Sequence, residues 1–354
     1  MILTYRYRIK GKPARTLVLQ AREVNVVWNF CGSTQEAARR HNKRWPSGFD
    51  LINLTTGAAR ELGLHSDTMQ AVCKEFAARR NKIRKRPRWR GKKSLGWVPF
   101  QAARAIKIED GTATFLGHRY RLWYSRPIDG AIKCGCFSAD AAGRWYLNLQ
   151  CEIDEVDDCG SAEVGIDLGL KTLAATSGGE KIENLRHGRA MQAKLARAQR
   201  AGRKRTVRQI HAKIERRRRH HLHEVSKRLV QQNRLVAVGN VSAAKLAKTR
   251  MAKSVYDASW STLRHQLRYK AVRHGAVYVE VDERWSSQLC SACGSLPLSR
   301  PKGIAQLGVR HWTCSDCGAD HDRDLNAARN ILVSGRSIAL QLTGNPRPLG
   351  RGRC

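Results

Sequence analysis

The hydrophobic pattern of the first 158 residues predicts a strand-rich domain interrupted by helices. Residues 3–9 alternate apolar and polar side chains, as a short strand does. Helical spacing of apolar residues follows at 24–40 and 67–80. Further short strands are predicted at 105–109, 112–116, 120–124, 131–134 and 145–151. We therefore expect a small antiparallel β-barrel, formed by residues 1–16 and 91–158, that carries a helical insertion at residues 17–90.

The pattern changes from residue 164 onward and predicts an α/β sheet. Two apolar strands are expected around Gly169, a buried strand at 235–238 and another strand at 276–281. Helix formers lie between these strands, and a further helix is expected at 325–332. The order strand, strand, helix, strand, helix, strand, helix is typical of an RNase H type sheet.

Four cysteines interrupt this second region in two CxxC pairs. They are Cys290, Cys293, Cys314 and Cys317. Each pair can direct two sulfur atoms at one tetrahedral ion, so the spacing predicts a structural Zn²⁺ in a zinc ribbon at residues 287–320. The alternative, that each cysteine is a small buried hydrophobe, fits the paired spacing less well. His311 and Asp316 are expected to be surface groups or to lie just outside the ligand shell.

The charge of the chain indicates the kind of partner that it binds. Its 354 residues contain 66 Lys and Arg against 29 Asp and Glu, a formal net charge of +37. Such a field favours a polyanion, and no apolar run long enough for a membrane span or a signal peptide accompanies it. Nucleic acid is therefore the expected partner. The scattered cysteines outside the CxxC pairs indicate a reducing, cytoplasmic setting, which for a bacterial protein includes the nucleoid.

Two tracts concentrate the positive charge, at residues 79–93 and 186–228. The second contains sixteen Lys or Arg and only two Glu. Cations suit phosphates and an aromatic plane suits an unstacked base, whereas the alternative is a solvated helix face. The predicted contacts to nucleic acid are Arg79, Arg80, Lys82, Arg84, Lys85, Arg86, Arg88, Trp89, Arg90, Lys92, Lys93, Arg203, Lys204, Arg205, Arg216, Arg217, Arg218 and Arg219.

Two acidic residues lie at positions where a carboxylate could bind a catalytic metal ion. Asp167 lies inside an apolar strand, where a bare carboxylate is costly unless it is solvated, paired or bound to a metal. Asp324 begins the last predicted helix. A turn-stabilising role for Asp167 and a helix-capping role for Asp324 remain alternatives. Two acids from separate elements, meeting at strand ends, are what a two-metal phosphodiester site requires.

These motifs together resemble the TnpB proteins, transposon-encoded relatives of the type V CRISPR nucleases. The resemblance rests on Ile166-Asp167-Leu168-Gly169, the two CxxC pairs and the run from Asp324 to Leu332, and it is specific from about residue 164 to 332. It implies a guide RNA, a double-stranded DNA target read beside a short adjacent motif, and cleavage by a RuvC nuclease domain. Delegating sequence recognition to base pairing also explains why the charge is spread along the chain.

The chain departs from the family at one catalytic position. Family members usually carry a Glu directly after the strand that here ends at Val238, but this chain has Gly239. We expect Glu283, after the next strand, to replace it, as similar relocations in the family imply, with Asp282 as the alternative. Asp167, Glu283 and Asp324 would then hold two Mg²⁺ ions, one activating water and one stabilising the leaving 3′ oxygen.

The resemblance implies a multidomain α+β protein with an RNase H-like (RuvC) α/β domain and an inserted zinc ribbon, preceded by a small wedge barrel. The nuclease domain would comprise residues 159–286 and 321–335, after an acidic linker at 152–158, and residues 336–354 would form a basic, disordered tail. Three functions remain open. They are an RNA-guided DNA endonuclease, a guided DNA-binding regulator without nuclease activity, and an unguided RNA-binding zinc protein.

Overall fold

The computed structural model describes residues 2–11, 15–153, 158–302, 306 and 308–343, apart from the side chains of residues 244 and 245. The chain divides into two compact units, residues 1–154 and 155–354. Most of the expected acidic linker lies outside the described residues. No helix of the described residues is both long and apolar enough to cross a membrane.

Unit 1, residues 1–154, combines seven strands and three helices in its described part. The strands are β1 (Ile2–Ile9), β2 (Trp97–Phe100), β3 (Ile106–Glu109), β4 (Thr112–Phe115), β5 (His118–Trp123), β6 (Ala131–Ala139) and β7 (Trp145–Glu152). The helices are α1 (Arg15–Arg40), α2 (Gly48–Leu54) and α3 (Ser66–Ile83), and a 3-10 turn spans Ala103–Ala105. The predicted strands are all present, whereas β2 and α2 were not predicted because each is short.

The strands of unit 1 form one sheet in the order β2-β6-β7-β1-β5-β4-β3, and every adjacent pair is antiparallel. β1 therefore lies in the middle of the sheet, beside strands far along the chain. The expected barrel is a half-barrel, because β2 and β3 stand at the two ends of the strand order. Alternate side chains of β1, such as Tyr5 and Tyr7, enter the core of the sheet.

The three helices of unit 1 pack around a second core. Val24, Val27 and Trp28 of α1 meet Val72 and Phe76 of α3, as the helical spacing predicted. α1 begins at Arg15, nine residues earlier than expected, because Leu17, Gln20 and Ala21 continue the buried face.

Unit 2, residues 155–354, contains the second sheet and the cysteines. Its strands are β8 (Ala162–Leu168), β9 (Thr172–Thr176), β10 (Lys181–Glu183), β11 (Asn233–Gly239), β12 (Val277–Val281), β13 (His311–Thr313) and β14 (Asp320–Asp322). Its helices are α4 (His187–Ala190), α5 (Gln192–Arg200), α6 (Lys204–Gln232), α7 (Ala243–Leu246), α8 (Ala252–Ala258), α9 (Trp260–Arg273) and α10 (Arg323–Thr343).

The main sheet of unit 2 has the order β10-β9-β8-β11-β12. β8, β11 and β12 run parallel to one another, while β9 is antiparallel to β8 and β10 is antiparallel to β9. The strands predicted at 235–238 and 276–281 are present as β11 and β12. The unpredicted strand β10 has three residues, too few to show a period.

The last helix, α10, lies directly on the main sheet. A Cβ atom added at Gly165 would stand 2.1 Å from the carbonyl oxygen of Ala328, and one added at Gly335 would stand 2.3 Å from Cβ of Ala237. Glycine at these two positions therefore permits the close approach of α10 to β8 and β11. The helix continues to Thr343, which corrects the expected start of a disordered tail at residue 336. Its face toward the sheet, including Ile338 and Ala339, remains apolar beyond residue 335. Residues 344–354 lie outside the described residues.

Candidate active site and metal centre

Three adjacent parallel strands bring two of the predicted acids to one edge of the sheet. Asp167 follows Ile166, which pairs with Val238 of β11, so Asp167 stands beside Gly239. Gly239 pairs with Val281, the last residue of β12. Glu283 follows two residues later. Because the carboxyl ends of parallel strands meet at the same edge, Asp167, Gly239 and Glu283 form a row across β8, β11 and β12.

Glu283 occupies the space that a side chain at position 239 would fill. A Cβ atom added at Gly239 would lie 3.3 Å from Oε2 and 3.5 Å from Cβ of Glu283. Asp282 is exposed instead, and its Oδ1 accepts a hydrogen bond from the Arg284 amide at 3.1 Å. Of the two acids after β12, Glu283 thus lies toward the acid on β8, while Asp282 stabilises the following turn.

Asp324, in the first turn of α10, is not the residue that caps the helix. Asp322 performs that role, since its Oδ1 accepts from the amides of Asp324 and Leu325, each at 3.1 Å. The Asp324 carboxylate pairs with Arg310, whose Nη1 lies 2.9 Å from Oδ1 and 3.2 Å from Oδ2. Asp324 is therefore available for a role other than capping.

The charges of Asp324 and Glu283 both act on the buried carboxyl group of Asp167. The pKa of Asp167 is raised to about 8, first by burial and then by the negative charges of Asp324 and Glu283. The pKa of Glu283 is also raised, first by burial and then by Asp282. Mutual repulsion of this kind is the usual state of a carboxylate cluster without a cation. Carboxylate oxygens are the ligands that Mg²⁺ prefers, so the cluster fits that ion.

The four cysteines of the CxxC pairs form a second cluster, and their ligand atoms all lie within 4.8 Å of one another. Sγ of Cys290 lies 3.7 Å from that of Cys317, and Sγ of Cys293 lies 3.9 Å from that of Cys314. Four sulfurs at a Zn–S distance of ~2.3 Å from a tetrahedral ion would stand ~3.8 Å apart. The cluster therefore fits zinc.

The pKa values of the cysteines shift in different directions, since burial and hydrogen bonds with the other three cysteines raise the pKa of Cys317. The hydroxyl and then the amide of Ser295 lower the pKa of Cys293 to about 6. His321, which is buried, places Nε2 3.0 Å from Sγ of Cys290 and packs its ring against Trp312. His311 and Asp316 are both exposed. The histidine closest to the sulfurs is thus His321, which carries no spacing signal in the sequence, because only the pairing of β13 with β14 brings it there.

The predicted nucleic-acid residues divide into an exposed majority and two that turn inward. Arg80 is buried and donates through Nη1 to the Pro46 carbonyl at 2.5 Å. Arg90 donates through Nε to Asn25 at 2.6 Å and lies over the Trp28 and Trp97 rings. Both guanidinium groups make contacts within unit 1, and contact of these two residues with nucleic acid stays a prediction.

Three of the remaining predicted residues form ion pairs with acidic side chains. Arg86 pairs with Glu36 at 2.6 Å, Arg218 pairs with Asp257 at 2.7 Å, and Arg219 pairs with Glu215. The other predicted residues are exposed, namely Arg79, Lys82, Arg84, Lys85, Arg88, Trp89, Lys92, Lys93, Arg203, Lys204, Arg205, Arg216 and Arg217.

A cleft of about 1010 Å³ in unit 2 is lined by part of the second basic tract and by Arg310. Six Lys or Arg residues line it, with apolar side chains between them. The cationic residues are Lys171, Arg186, Arg189, Arg218, Lys253 and Arg310. Arg310 both lines the cleft and pairs with Asp324. Neither Arg310 nor Lys253 belongs to a basic run in the sequence, and for this reason composition alone does not single them out.

Comparison with protein families places this architecture in a defined class. The model described as "Cas12f1-like, TNB domain" matches residues 260–331, which contain the cysteines, Glu283 and Asp324. The model described as "Probable transposase" matches residues 149–250, which contain Asp167.

Sequence similarity to individual relatives shows which family of proteins the chain belongs to. A Streptomyces pristinaespiralis protein named "Putative RNA-guided DNA endonuclease" is 38% identical, over 94% of this chain and 83% of its own length. The Escherichia coli K12 protein named "Putative RNA-guided DNA endonuclease InsQ" is 26% identical, over 65% of this chain and 63% of its own length, which is under two thirds. Cas12f1 of Sulfoacidibacillus thermotolerans is 26% identical over 55% of this chain and 51% of its own. The chain belongs to the TnpB family of RNA-guided DNA endonucleases.

A solved structure agrees with this placement at the level of the fold. The Cas12f1 chain in a cryo-EM complex with guide RNA and target DNA matches with a TM-score of 0.61 and 14% identity. The match covers 89% of this chain and 82% of that one. The mixed α/β, multidomain architecture is therefore that of Cas12f1.

Proposed function

We propose that this protein is an RNA-guided DNA endonuclease whose cutting centre consists of Asp167, Glu283 and Asp324. The observation that carries the proposal is the convergence of these three carboxylates, from β8, the segment after β12 and the start of α10, with coupled charges. The order β10-β9-β8-β11-β12 supports an RNase H-like, RuvC-type nuclease domain. The relatives' names and the Cas12f1 complex support a guide RNA and a DNA target as partners.

The three acids divide the work of holding cations. Asp167, on which the charges of both other acids act, would be the central ligand, with Glu283 and Asp324 as the flanking ones. Two Mg²⁺ ions, when bound, would supply the polarisation that lets water attack a phosphodiester and lets the 3′ oxygen leave. Without them, the raised pKa of Asp167 keeps a proton on the cluster near neutral pH. The carboxylates must lose that proton to bind a cation.

Arg310 supplies the positive charge on the side of the cleft. Its guanidinium group neutralises Asp324 in the free protein. When Asp324 turns to a cation, Arg310 loses this partner and is placed to pair with a phosphate entering from the cleft, since guanidinium groups bind phosphate oxygens with two parallel hydrogen bonds.

The cysteine cluster has a structural role in this proposal. Cys290, Cys293, Cys314 and Cys317 would hold one Zn²⁺, and with no open ligand position such a site contributes folding energy rather than chemistry. Cys290 and Cys314 are fully buried beside Trp312, and these three residues form the small apolar cluster of the ribbon's described part. A core this small needs the ion to fold.

The exposed cations form the proposed nucleic-acid interface. Residues 79–93 of unit 1 and the α5–α6 region of unit 2 offer many exposed cations besides those that pair with acids, such as Arg86 and Arg219, and this suits the backbone of the guide RNA or the DNA. By the family resemblance, the half-barrel is the wedge, the helices of unit 1 form the recognition insert, and the ribbon binds target nucleic acid. Binding should fall steeply with salt, and Arg84→Ala should reduce the slope by about one counterion.

A guided cleavage assay tests the proposal. The protein is co-expressed with its transposon end, the RNA that co-purifies is sequenced, and cleavage of a matching duplex is measured in Mg²⁺. Wild-type cleavage, with loss of cleavage in Glu283→Ala, supports the proposal. Full cleavage by Glu283→Ala would move the third ligand elsewhere.

The same preparation decides between the alternative functions. Tight guided binding without any cleavage would identify a DNA-binding regulator, for which the glycine at position 239 is the motivating observation. Heterogeneous co-purified RNA would identify an unguided RNA-binding protein. Either result would overturn the proposed endonuclease.

A further inference from the structure

Two buried asparagines on α10 hold the turn that follows Glu283. Nδ2 of Asn330 donates to the carbonyl oxygens of Ser286 and Leu289, at 2.8 and 2.7 Å. Nδ2 of Asn326, one helical turn earlier, donates to the same two oxygens, at 3.3 and 2.7 Å. Both side chains are almost fully buried. Four hydrogen bonds thus join one face of α10 to two carbonyl groups.

Asn326 also bonds to the backbone beside a cysteine of the cluster. Oδ1 of Asn326 accepts from the amide of Ser291 at 2.9 Å. Cys290 therefore lies between two residues, Leu289 and Ser291, whose backbone groups are both bonded to α10. The segment from Glu283 to Cys290 is held at its far end by the helix that carries Asp324.

The turn itself is compact and contains a strained residue. The amide of Ser286 donates to the Glu283 carbonyl at 3.1 Å, and the amide of Leu289 donates to that of Trp285 at 2.9 Å. Trp285 has a φ of +69°, a left-handed conformation that a bulky residue rarely adopts. Such a conformation persists only where surrounding contacts over-determine it. The bonds from Asn326 and Asn330 are contacts of that kind.

We propose that Asn326 and Asn330 are positioning residues that set where Glu283 stands relative to Asp324 and that couple the cysteine cluster to the carboxylate cluster. The inference rests on the proposed function, because it assumes that the carboxylates bind cations. Metal sites tolerate little displacement of a ligand, and loss of groups that orient ligands costs about 10- to 100-fold in metal affinity.

The shared acceptors give the proposal a distinctive signature. Removing Asn330 leaves each carbonyl with a donor from Asn326, so Asn330→Leu should weaken Mn²⁺ binding only about threefold. Asn326→Leu also frees the Ser291 amide and should cost about tenfold. The double variant leaves both buried carbonyls without either donor and should cost about 100-fold or more, which exceeds the product of the single effects.

The experiment uses the zinc-loaded full chain without nucleic acid. Mn²⁺ binding is measured from the free aqueous ion by electron paramagnetic resonance, and hydrogen exchange is followed in the peptide covering residues 282–289. Leu229→Ala, a core change on α6 away from this turn, is the control for lost stability. Asn330→Ser, which keeps one donor, replaces Asn330→Leu if that variant does not fold.

The expected result is faster exchange in the turn and weaker Mn²⁺ binding in the asparagine variants, with greater than multiplicative loss in the double variant. Leu229→Ala should melt earlier yet bind Mn²⁺ as the wild type does. Equal Mn²⁺ affinity in wild type and double variant would overturn the inference while leaving the proposed function standing. If the wild type binds no Mn²⁺, the proposed cutting centre fails, and unchanged exchange in the turn would then overturn the positioning role as well.

Discussion

The cysteine cluster and the carboxylate cluster are both built for metal ions, but opposite forces hold them together. The cysteine ligands lie on two short turns around a core of three residues, Cys290, Trp312 and Cys314. The carboxylates lie on elements that a large apolar core and α10 fix in place, and their charges repel one another. We expect the first cluster to need an ion in order to fold. We expect the second to form without an ion, at the cost of repulsion among its charges.

The largest expected effect separates the two clusters by activity. Asp167→Ala should lower guided cleavage by about three orders of magnitude or more, because the central cation ligand is lost. Zinc content and guide-RNA binding should stay at wild-type levels, since the cysteine cluster does not depend on Asp167. Cleavage kinetics and metal analysis on the same preparation measure the cleavage rate and the zinc content. Asp282→Ala, which removes a nearby exposed acid, is the control and should cut normally. Loss of zinc from Asp167→Ala would show that the cysteine cluster depends on Asp167.

The second-largest expected effect starts from a change in the cysteine cluster, which should also impair the carboxylate cluster. Cys314→Ser should remove zinc and, because the ribbon's core is so small, unfold the ribbon. Cleavage should fall about 100-fold, since Glu283 and Cys290 share one anchored segment. Zinc analysis, thermal unfolding and cleavage are the measurements. Cys159→Ser, at a partly buried cysteine outside the cluster, should retain all three properties. A zinc-free Cys314→Ser protein that cuts at the wild-type rate would show that the clusters are independent.

The same contrast explains what could be predicted from the sequence. Local spacing was sufficient for the cysteine ligands, because two turns and one pairing of short strands bring them together. The carboxylates required the strand order and the family resemblance, since β8 and α10 are distant along the chain. The alternative role of Asp324 as a helix cap could be decided only by the structure, in which Asp322 is the cap.

What the sequence could not supply were contacts made by irregular segments. Arg310 reaches Asp324 from the irregular segment before β13, and His321 reaches Cys290 through the pairing of two three-residue strands that are too short to show a period. The inward direction of Arg80 and Arg90 depends on Trp28, Trp45 and Trp97, which lie far from them in the sequence. A run of cations looks uniform in sequence even where neighbouring side chains point in different directions.

A smaller effect is expected from filling the space at Gly239, which lies between Asp167 and Glu283. Gly239→Ala should lower cleavage about tenfold, because the new Cβ atom would stand 3.2 Å from Cδ1 of Ile331 and 3.3 Å from Oε2 of Glu283. Glu283 must then shift, and ligand displacement weakens cation binding. Zinc content should not change. Gly178→Ala, whose added Cβ atom would meet nothing closer than 3.9 Å, is the matched control. Equal cleavage by both variants would remove Glu283 from the site.

The smallest expected effect concerns stability in the absence of Mg²⁺. The pKa of Asp167 is raised from 3.8 to about 8 in the folded protein. Below about pH 4 the folded and unfolded states are both protonated, and the group has no effect on folding. Between these values the folded state holds a proton that the unfolded state has released, so stability falls as the pH rises. Above about pH 8 the folded protein carries the full cost of the buried charge.

Asp167→Asn removes this dependence, because the amide is never ionised. In Mg²⁺-free, zinc-containing buffer at pH 8.5, the variant should melt a few degrees above the wild type, and at pH 5 the difference should shrink. Adding Mg²⁺ at pH 8.5 should stabilise only the wild type, since its cluster regains a counter-charge. Differential scanning calorimetry measures all three differences. Equal melting temperatures at both pH values would mean that the carboxylates are not strained without a cation, and the two clusters would then differ in chemistry but not in energetics.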